Sequence, residues 1–493
     1  MPTPATRTRS PARASTGSTC RASPCSLARE GRRIIDAAAI PAAAQALHDA
    51  GDAEGAQALL LEGLQRYPEE ASLWAEMGFF LHRQGRFEES CTCFDRAFAF
   101  GNRDVRVVFE FGAGKYALGR YGEAARAFGI VLQSEPDHAG AHYYLGMAEA
   151  GQGAFDPAIA HLDRAAALDP ASGAADRLWR TKFLAGRWQE AWADHDRILP
   201  ADLDQRWRES HGTGHRHWQG QSLDGQELVV FRHGGHGDMI HYLRFLDRVL
   251  ALHPARLTLM LPESLHRLVA ASPLLAERGR TEVALVAPDR KLEDRPGYFI
   301  WFEGLAAFFR AEPGTLGPWQ PYLAAEPARV LHWAGRLGPH PRVGLAWRGA
   351  PGYPEDRWRS IPLEQLRPLL HLPDLHWVIL QKAPLSQEER AILGALPVTD
   401  LSDALDDFAE TAAIMANLDL VISVDSAPAH LAGAMGLPVL LLNRASSEWR
   451  WGWKQETSFW YPTMRIFNQR ALGDWSGVPA GLEDALAAWA RPG

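Results

Sequence analysis

The stretch Leu418–Asn443, LDLVISVDSAPAHLAGAMGLPVLLLN, reads as one complete strand–turn–helix–strand unit. Leu418–Val424 is a short run of Leu, Val and Ile, the composition of a strand buried on both faces. Asp425 stands at its carboxyl end, Ser426 supplies a helix N-cap, and Pro428 falls in the first turn, where a missing N–H costs little. Gly436 and Pro438 stop the helix, and Val439–Leu442 is a second buried strand. Ligands of open α/β sheets bind at the carboxyl ends of strands, where helix N-termini turn free N–H groups toward anions. Asp425, Ser426 and His430 therefore line a site suited to a phosphate and a ribose. The same unit also occurs with nothing bound, so spacing alone does not decide the matter.

Upstream, Arg342–Trp347 (RVGLAW) opens the sheet to which this unit belongs. The loop after it carries Arg348, Arg357 and Arg359 amid Gly and Pro, and is either a solvated basic loop or a clamp on a diphosphate. Trp377–Leu380 is the next strand, with Gln381 and Lys382 at its carboxyl end, the ligand side. Asp400–Asp407 is an acidic loop, and Phe408–Asn417 is the helix leading into the opening stretch. Downstream, Trp449, Trp451, Trp453, Trp460 and Tyr461 crowd into one segment. Packing is the commoner use of such density, while a Trp beside the cleft, Trp449 first, would stack on a base or sugar. An Ala/Leu-rich helix, Leu482–Ala490, follows.

A second α/β domain precedes this one. Glu227–Phe231 (ELVVF) is a strand, Arg232–Asp238 a Gly-rich turn that lets a ligand approach the backbone, and Met239–Leu250 a helix. Asp238 is either a first-turn acid favoured by the helix dipole or a general base in the cleft. Strands are expected at Arg256–Leu261 and Glu282–Val286, with a helical Ser264–Ala271 between. Tyr298–Phe309, aromatic and apolar, is a strand or helix over the sheet, core rather than substrate platform, and Pro313–Pro321 is loop. His211, His215 and His217, with His233, His236 and His241 beyond, lack the tight spacing and acidic partners of a metal site, so no metal is expected.

From Pro41 to about Gln205 the chain repeats. Gly51, Gly85, Gly119 and Gly153 recur every 34 residues, with Ala56, Ser90, Ala124 and Ala158 in phase, then Leu60, Phe94, Phe128 and Leu162. Trp74-Ala-Glu-Met77-Gly78 fits the opening of a tetratricopeptide repeat. A fifth unit, Leu178–Leu199, drifts by one residue at Gly186. Each unit is a helix hairpin that buries its apolar face only by stacking, which makes a curved solenoid. Its concave groove either holds a protein partner, or the repeats dimerise or brace the domain behind them. Cys91 and Cys93, two apart on a helix, read as core filler.

The whole chain, 493 residues at 46% hydrophobic and 22% charged, has room for two to four soluble domains. A net charge of −8 gives a nucleic-acid partner no electrostatic support. No run is apolar for the ~18–20 residues a membrane span needs. The four cysteines form no disulfide framework, which fits a reducing cytoplasm. The first 33 residues, Arg-, Ser- and Pro-rich, read as a disordered tail or as the product of a start codon placed too early.

The motif D-S-A-P-A-H-L-A-G-A-M-G-L-P resembles the donor-binding motif of heptosyltransferase-like enzymes, glycosyltransferase family 9-type. Asp407-Phe408-Ala409-Glu410-Thr411-Ala412 upstream, and Trp449-Arg450-Trp451 with Trp460–Arg465 downstream, match as well. The resemblance covers roughly residues 215–470 and points to the branch fused to tetratricopeptide repeats. It implies an α-solenoid followed by a GT-B fold of two Rossmann-like domains. The expected boundaries are a tail at 1–36, a solenoid at 37–206, a linker at 207–226, an acceptor domain at 227–325 and a donor domain at 340–493. Gly235-His236-Gly237-Asp238 matches the family's Gly-x-Gly-Asp, whose Asp is the proposed catalytic base, while His233-Gly234 departs from the usual Glu-Gln pair just before it. The chemistry implied is inverting, metal-independent transfer from a nucleotide-diphosphate sugar. In that scheme Asp238 or His236 deprotonates the acceptor hydroxyl, with His241 a neighbouring alternative. Arg348, Arg357, Gln381, Lys382 and the helix at Ser426 hold the diphosphate, and Asp425, His430 and Trp449 complete the donor site. No cofactor is required. The repeats suggest a cytoplasmic protein acceptor, and a homo-oligomer is compatible with them. A repeat scaffold with a vestigial nucleotide-binding domain is the alternative.

Overall fold

The structure, a computed structural model, describes residues 36–199 and 203–489 apart from 233, 277, 354 and 383. The basic tail through residue 35 and the His233 departure lie outside the described residues. The chain divides into two compact units, one ending at Gly114 and the other beginning at Lys115.

In the first unit, helices Ile40–Asp49 and Ala53–Arg66, then Ala71–Arg83 and Phe87–Ala99, form two hairpins. Leu60, Leu73, Phe80 and Phe94 fill their interior, as do Cys91 and Cys93. The helix Val105–Ala117 crosses into the second unit. There follow Tyr121–Ser134, Ala139–Ala150, Phe155–Leu168, Ala174–Leu184 and Trp188–Arg197. The periodic glycines have a single cause. Gly51, Gly85, Gly119, Gly153 and Gly186 all adopt φ between 73° and 85°, the left-handed region that ends a helix. After each, the next amide reaches back five residues, as Asp52 N–H to the Leu47 carbonyl at 2.9 Å and Arg187 N–H to the Lys182 carbonyl at 2.8 Å.

The fifth hairpin does not end in solvent. Trp179, Phe183 and Trp192 share one apolar core with the helices of the α/β region behind them. Trp192 Nε1 donates to the Ala311 carbonyl at 2.9 Å. Two earlier turns also touch that region, for a Cβ on Gly119 would lie 2.9 Å from Leu472 and one on Gly153 would lie 2.7 Å from Trp453.

Two parallel sheets follow. The first comprises β1 (Arg216–His217), β2 (Glu227–Phe231), β3 (Arg256–Met260), β4 (Glu282–Val286) and β5 (Gly297–Trp301), ordered β1-β5-β2-β3-β4. The second comprises β6 (Arg342–Ala346), β7 (His376–Ile379), β8 (Val398–Asp400), β9 (Leu420–Val424), β10 (Val439–Asn443) and β11 (Met464–Asn468), ordered β11-β10-β9-β6-β7-β8. Every residue of β6, β9 and β10 is buried, as their apolar composition requires. A helical solenoid of tetratricopeptide type thus leads into a Rossmann-like α/β region.

Residues 207–226, expected as a linker, are instead part of the first sheet's layer. Leu203–His211 is a helix whose Trp207 stacks on Phe299 with centroids 4.2 Å apart, and β1 adds a strand beside β5. Trp218 is 2% exposed, 4.0 Å from the ring of Phe308. The stretch is polar in bulk, but two tryptophans anchor it. The helix expected at Met239–Leu250 begins earlier and breaks in two, into His236–Tyr242 and Leu246–Leu250 with a 3₁₀ turn between.

Candidate functional site

Strand order fixes where a ligand can sit. In the second sheet the chain lays β7 and β8 on one side of β6, then crosses to place β9 on the other. The crevice at the carboxyl ends of β6 and β9 is the switch point at which open α/β sheets bind ligands. Arg348 follows β6 there, and Asp425 and Ser426 follow β9. The first sheet repeats the device between β2 and β5, and the turn ending at Asp238 follows β2.

The two switch points meet through their helices. His236–Tyr242 packs against Ala427–Ala434. A Cβ on Gly237 would stand 2.8 Å from His430 Cδ2 and 3.5 Å from the Ala427 backbone, so this contact needs glycine. His430 is 4% exposed, its Nδ1 3.1 Å from the Tyr461 hydroxyl and its Nε2 3.9 Å from Asp425 Oδ1. Burial lowers its pKa to about 4, with Asp425 opposing, so the ring is neutral at pH 7. The Tyr461 hydroxyl also lies 3.2 Å from His241 Nδ1 and 3.3 Å from the Tyr322 hydroxyl. His241 is held neutral by burial, then by the charges of Arg244 and Arg450.

Asp238 does two things at once. Its Oδ2 accepts the Gly235 N–H at 2.7 Å, as a first-turn acid should, and its Oδ1 accepts Arg450 at 2.6 Å. Part of the carboxylate remains open to solvent, its side chain being 30% exposed. Arg450 also donates to the Tyr242 hydroxyl at 2.9 Å and pairs with Glu448 at 2.8 Å. His236 Nε2 lies 3.1 Å from Ser264 Oγ, its ring stacks on Phe408, and its pKa is lowered by burial and then by Arg232.

The remaining expected donor residues divide. The Ser426 hydroxyl donates to the Val424 carbonyl at 3.2 Å and does not cap the helix. Lys382 is exposed beyond β7. Arg348 is held by Glu389 through Nε at 2.8 Å and Nη2 at 2.9 Å. Arg357 donates to the Ala117 carbonyl at 3.1 Å and lies over Trp358. Gln381 is buried, and its Oε1 accepts the N–H groups of Trp347 and Arg348, so it braces the loop after β6 from behind. Trp449 is the clear correction. It is 2% exposed and stacked on Phe183 at 4.5 Å, so it packs the last repeat against the α/β region and presents no face to a donor. Of the expected residues, Asp238, Asp425, Ser426 and His430 stand at the meeting helix ends.

Sequence reasoning missed Arg450, Glu448 and Tyr461 as working groups. An arginine between two tryptophans, Trp449 and Trp451, was the available signal, since a buried cation must have partners. A cavity of about 650 Å³ lies elsewhere, at the carboxyl ends of β1 and β5, between His217, Trp301 and, from the last repeat, His195 and Asp196. Among the described residues no His, Cys, Asp or Glu group is arranged to hold a metal, and no helix is long and apolar enough to cross a membrane.

Residues 110–173 match the tetratricopeptide repeat family, and residues 388–464 match glycosyltransferase family 9 (heptosyltransferase). The chain joins tetratricopeptide repeats to a glycosyltransferase family 9 domain. Asp425, Ser426 and His430 fall inside the family 9 match, and Asp238 falls outside it. The chain is 28% identical over 397 residues to protein FlbA of Caulobacter vibrioides, an alignment covering 73% of this chain. It spans only 63% of that relative's length. Among solved structures, MamA from Desulfovibrio magneticus RS-1 is 20% identical, covers 35% of this chain and 98% of its own, and has a TM-score of 0.33. YrrB, described as a TPR protein with an unusual peptide-binding site, is 18% identical, covers 34% of this chain and 89% of its own, and has a TM-score of 0.31.

Proposed function

We propose that the protein is a GT-B-type inverting glycosyltransferase that moves a sugar from a nucleotide diphosphate to an acceptor hydroxyl without a metal ion. The observation that carries this reading is the meeting of the two switch-point helices at Gly237 and His430, which sets Asp238 opposite Asp425 and Ser426. In the reaction the acceptor oxygen forms a bond to the anomeric carbon as the bond from that carbon to the diphosphate breaks. Asp238, paired with Arg450, takes the acceptor proton. The positive end of the Ala427–Ala434 helix dipole meets the charge developing on the leaving diphosphate. In this reading Lys382, exposed beyond β7, adds a cation. Arg348 and Arg357 join only by leaving Glu389 and the Ala117 carbonyl. Neutral His430 donates or accepts a hydrogen bond at the ribose–phosphate end without adding charge. The repeats supply a surface for a protein acceptor, the class we favour.

Calorimetric titration with a panel of nucleotide-diphosphate sugars, in buffer containing a chelator, tests the reading. One donor should bind, and His430→Ala, which removes the side chain assigned to the ribose–phosphate end, should weaken it tenfold or more. A chain that binds none of the panel is not a transferase, and the repeat scaffold remains.

A further inference from the structure

An unbroken series of opposite charges runs from the repeats to Asp238. Asp176 and Arg180 lie on the helix Ala174–Leu184 of the last repeat, Oδ2 to Nε at 3.0 Å. Arg180 Nη1 is 3.7 Å from Glu448 Oε1. Glu448 Oε2 is 2.8 Å from Arg450 Nη1, and Arg450 Nη2 is 2.6 Å from Asp238 Oδ1. The segment carrying Glu448 and Arg450 is also gripped by the same helix through the Phe183–Trp449 stack.

We propose that the last repeat is a positioning part of the catalytic site, with Arg180 fixing the Asp238 carboxylate through Glu448 and Arg450. The proposal rests on the reading of Asp238 as the base. Arg450 is shared among Asp238, Glu448 and the Tyr242 hydroxyl, so its position on Asp238 depends on how firmly Glu448 holds its other side. Glu448 in turn has two cations, Arg180 and Arg450, against the carboxylate of Asp425, while Glu303 faces both guanidinium groups, Asp176 faces Arg180 and Tyr242 faces Arg450. Burial lifts the Glu448 carboxyl, and the two guanidinium groups oppose that. Removing Arg180 leaves Glu448 with one cation. It then draws Arg450 away from Asp238 or takes up a proton, and either change moves the base.

The test uses the full chain with Arg180→Gln, Arg180→Lys, Asp238→Asn and the Arg180→Gln/Asp238→Asn double variant. Residues 180 and 238 do not touch, so independent roles give additive shifts in Tm. The expected result is a double-variant shift clearly smaller than the sum. With a donor that the wild type turns over, Arg180→Gln should keep Kd within twofold, lower turnover tenfold or more and shift the acid limb of the pH profile, and Arg180→Lys should restore part of both. Additive Tm shifts overturn the proposal whatever the donor result. A wild type that binds a donor but loses nothing on Arg180→Gln overturns its catalytic half.

Discussion

His430 and Trp449 show how burial decides what a side chain can do. The motif of His430 leads to the expectation of a donor residue, and its neutrality comes from the interior that Tyr461, Trp451 and His241 build around it. The unfolded chain takes up a proton there near the ordinary value of about 6.5, and the folded chain only near 4. Stability should therefore fall as pH drops from about 6.5 to about 4, since the unfolded state binds more protons in that window. His241, shifted the same way, adds to the slope. Thermal unfolding between pH 7 and 4 checks this: His430→Gln should flatten the decline, and an unchanged slope would contradict it. Trp449 was the residue least legible from sequence. A tryptophan beside a cleft motif reads equally as platform or as packing, and only the partner Phe183, over 250 residues upstream, settles it. Trp449→Ala should cost about 3–5 kcal/mol of stability, as large core truncations do, with donor affinity per folded molecule unchanged. Thermal melts and calorimetry on the variant separate the two effects.

At the scale of elements, apolar runs marked β2, β3, β6, β9 and β10 in the sequence because strands buried on both faces have no alternation to obscure them. Of the edge strands only β4 was marked. β1 is only two residues long, β8 three, and β11 mixes buried Met464 and Ile466 with exposed Arg465. The repeat glycines were legible as a period because a left-handed helix end favours glycine at each turn. Gly237 carries no such signature, since its need arises from a second helix 190 residues away in sequence. Replacing a helical Gly by Ala ordinarily stabilises by ~1 kcal/mol. Here the new methyl would meet His430 and Ala427, so Gly237→Ala should instead destabilise by ~1–3 kcal/mol, the cost of overpacking. A urea melt decides the sign, and a more stable variant would mean that the two helices do not meet.

At the scale of the molecule, the sequence separates repeats from α/β domains, but the second unit does not respect that boundary. Its last helix pair contributes Trp179, Phe183 and Trp192 to the core of the α/β region, a pairing that no local pattern encodes. A chain begun at Leu203 should expose those partners and aggregate, whereas one begun at Val105 should unfold in a single cooperative transition, as scanning calorimetry would report. The same union brings Arg450 and Glu448 to Asp238, on the segment that the last repeat grips. The central claim is that Asp238 removes the acceptor proton in a site that binds a nucleotide sugar. The most direct measurement is turnover of the best-binding donor, with and without candidate acceptors, by the wild type and by Asp238→Asn. The account predicts unchanged donor Kd and a loss of turnover on the order of 10²–10⁴-fold, the range of a general base. An Asp238→Asn variant that turns over donor at the wild-type rate would contradict it.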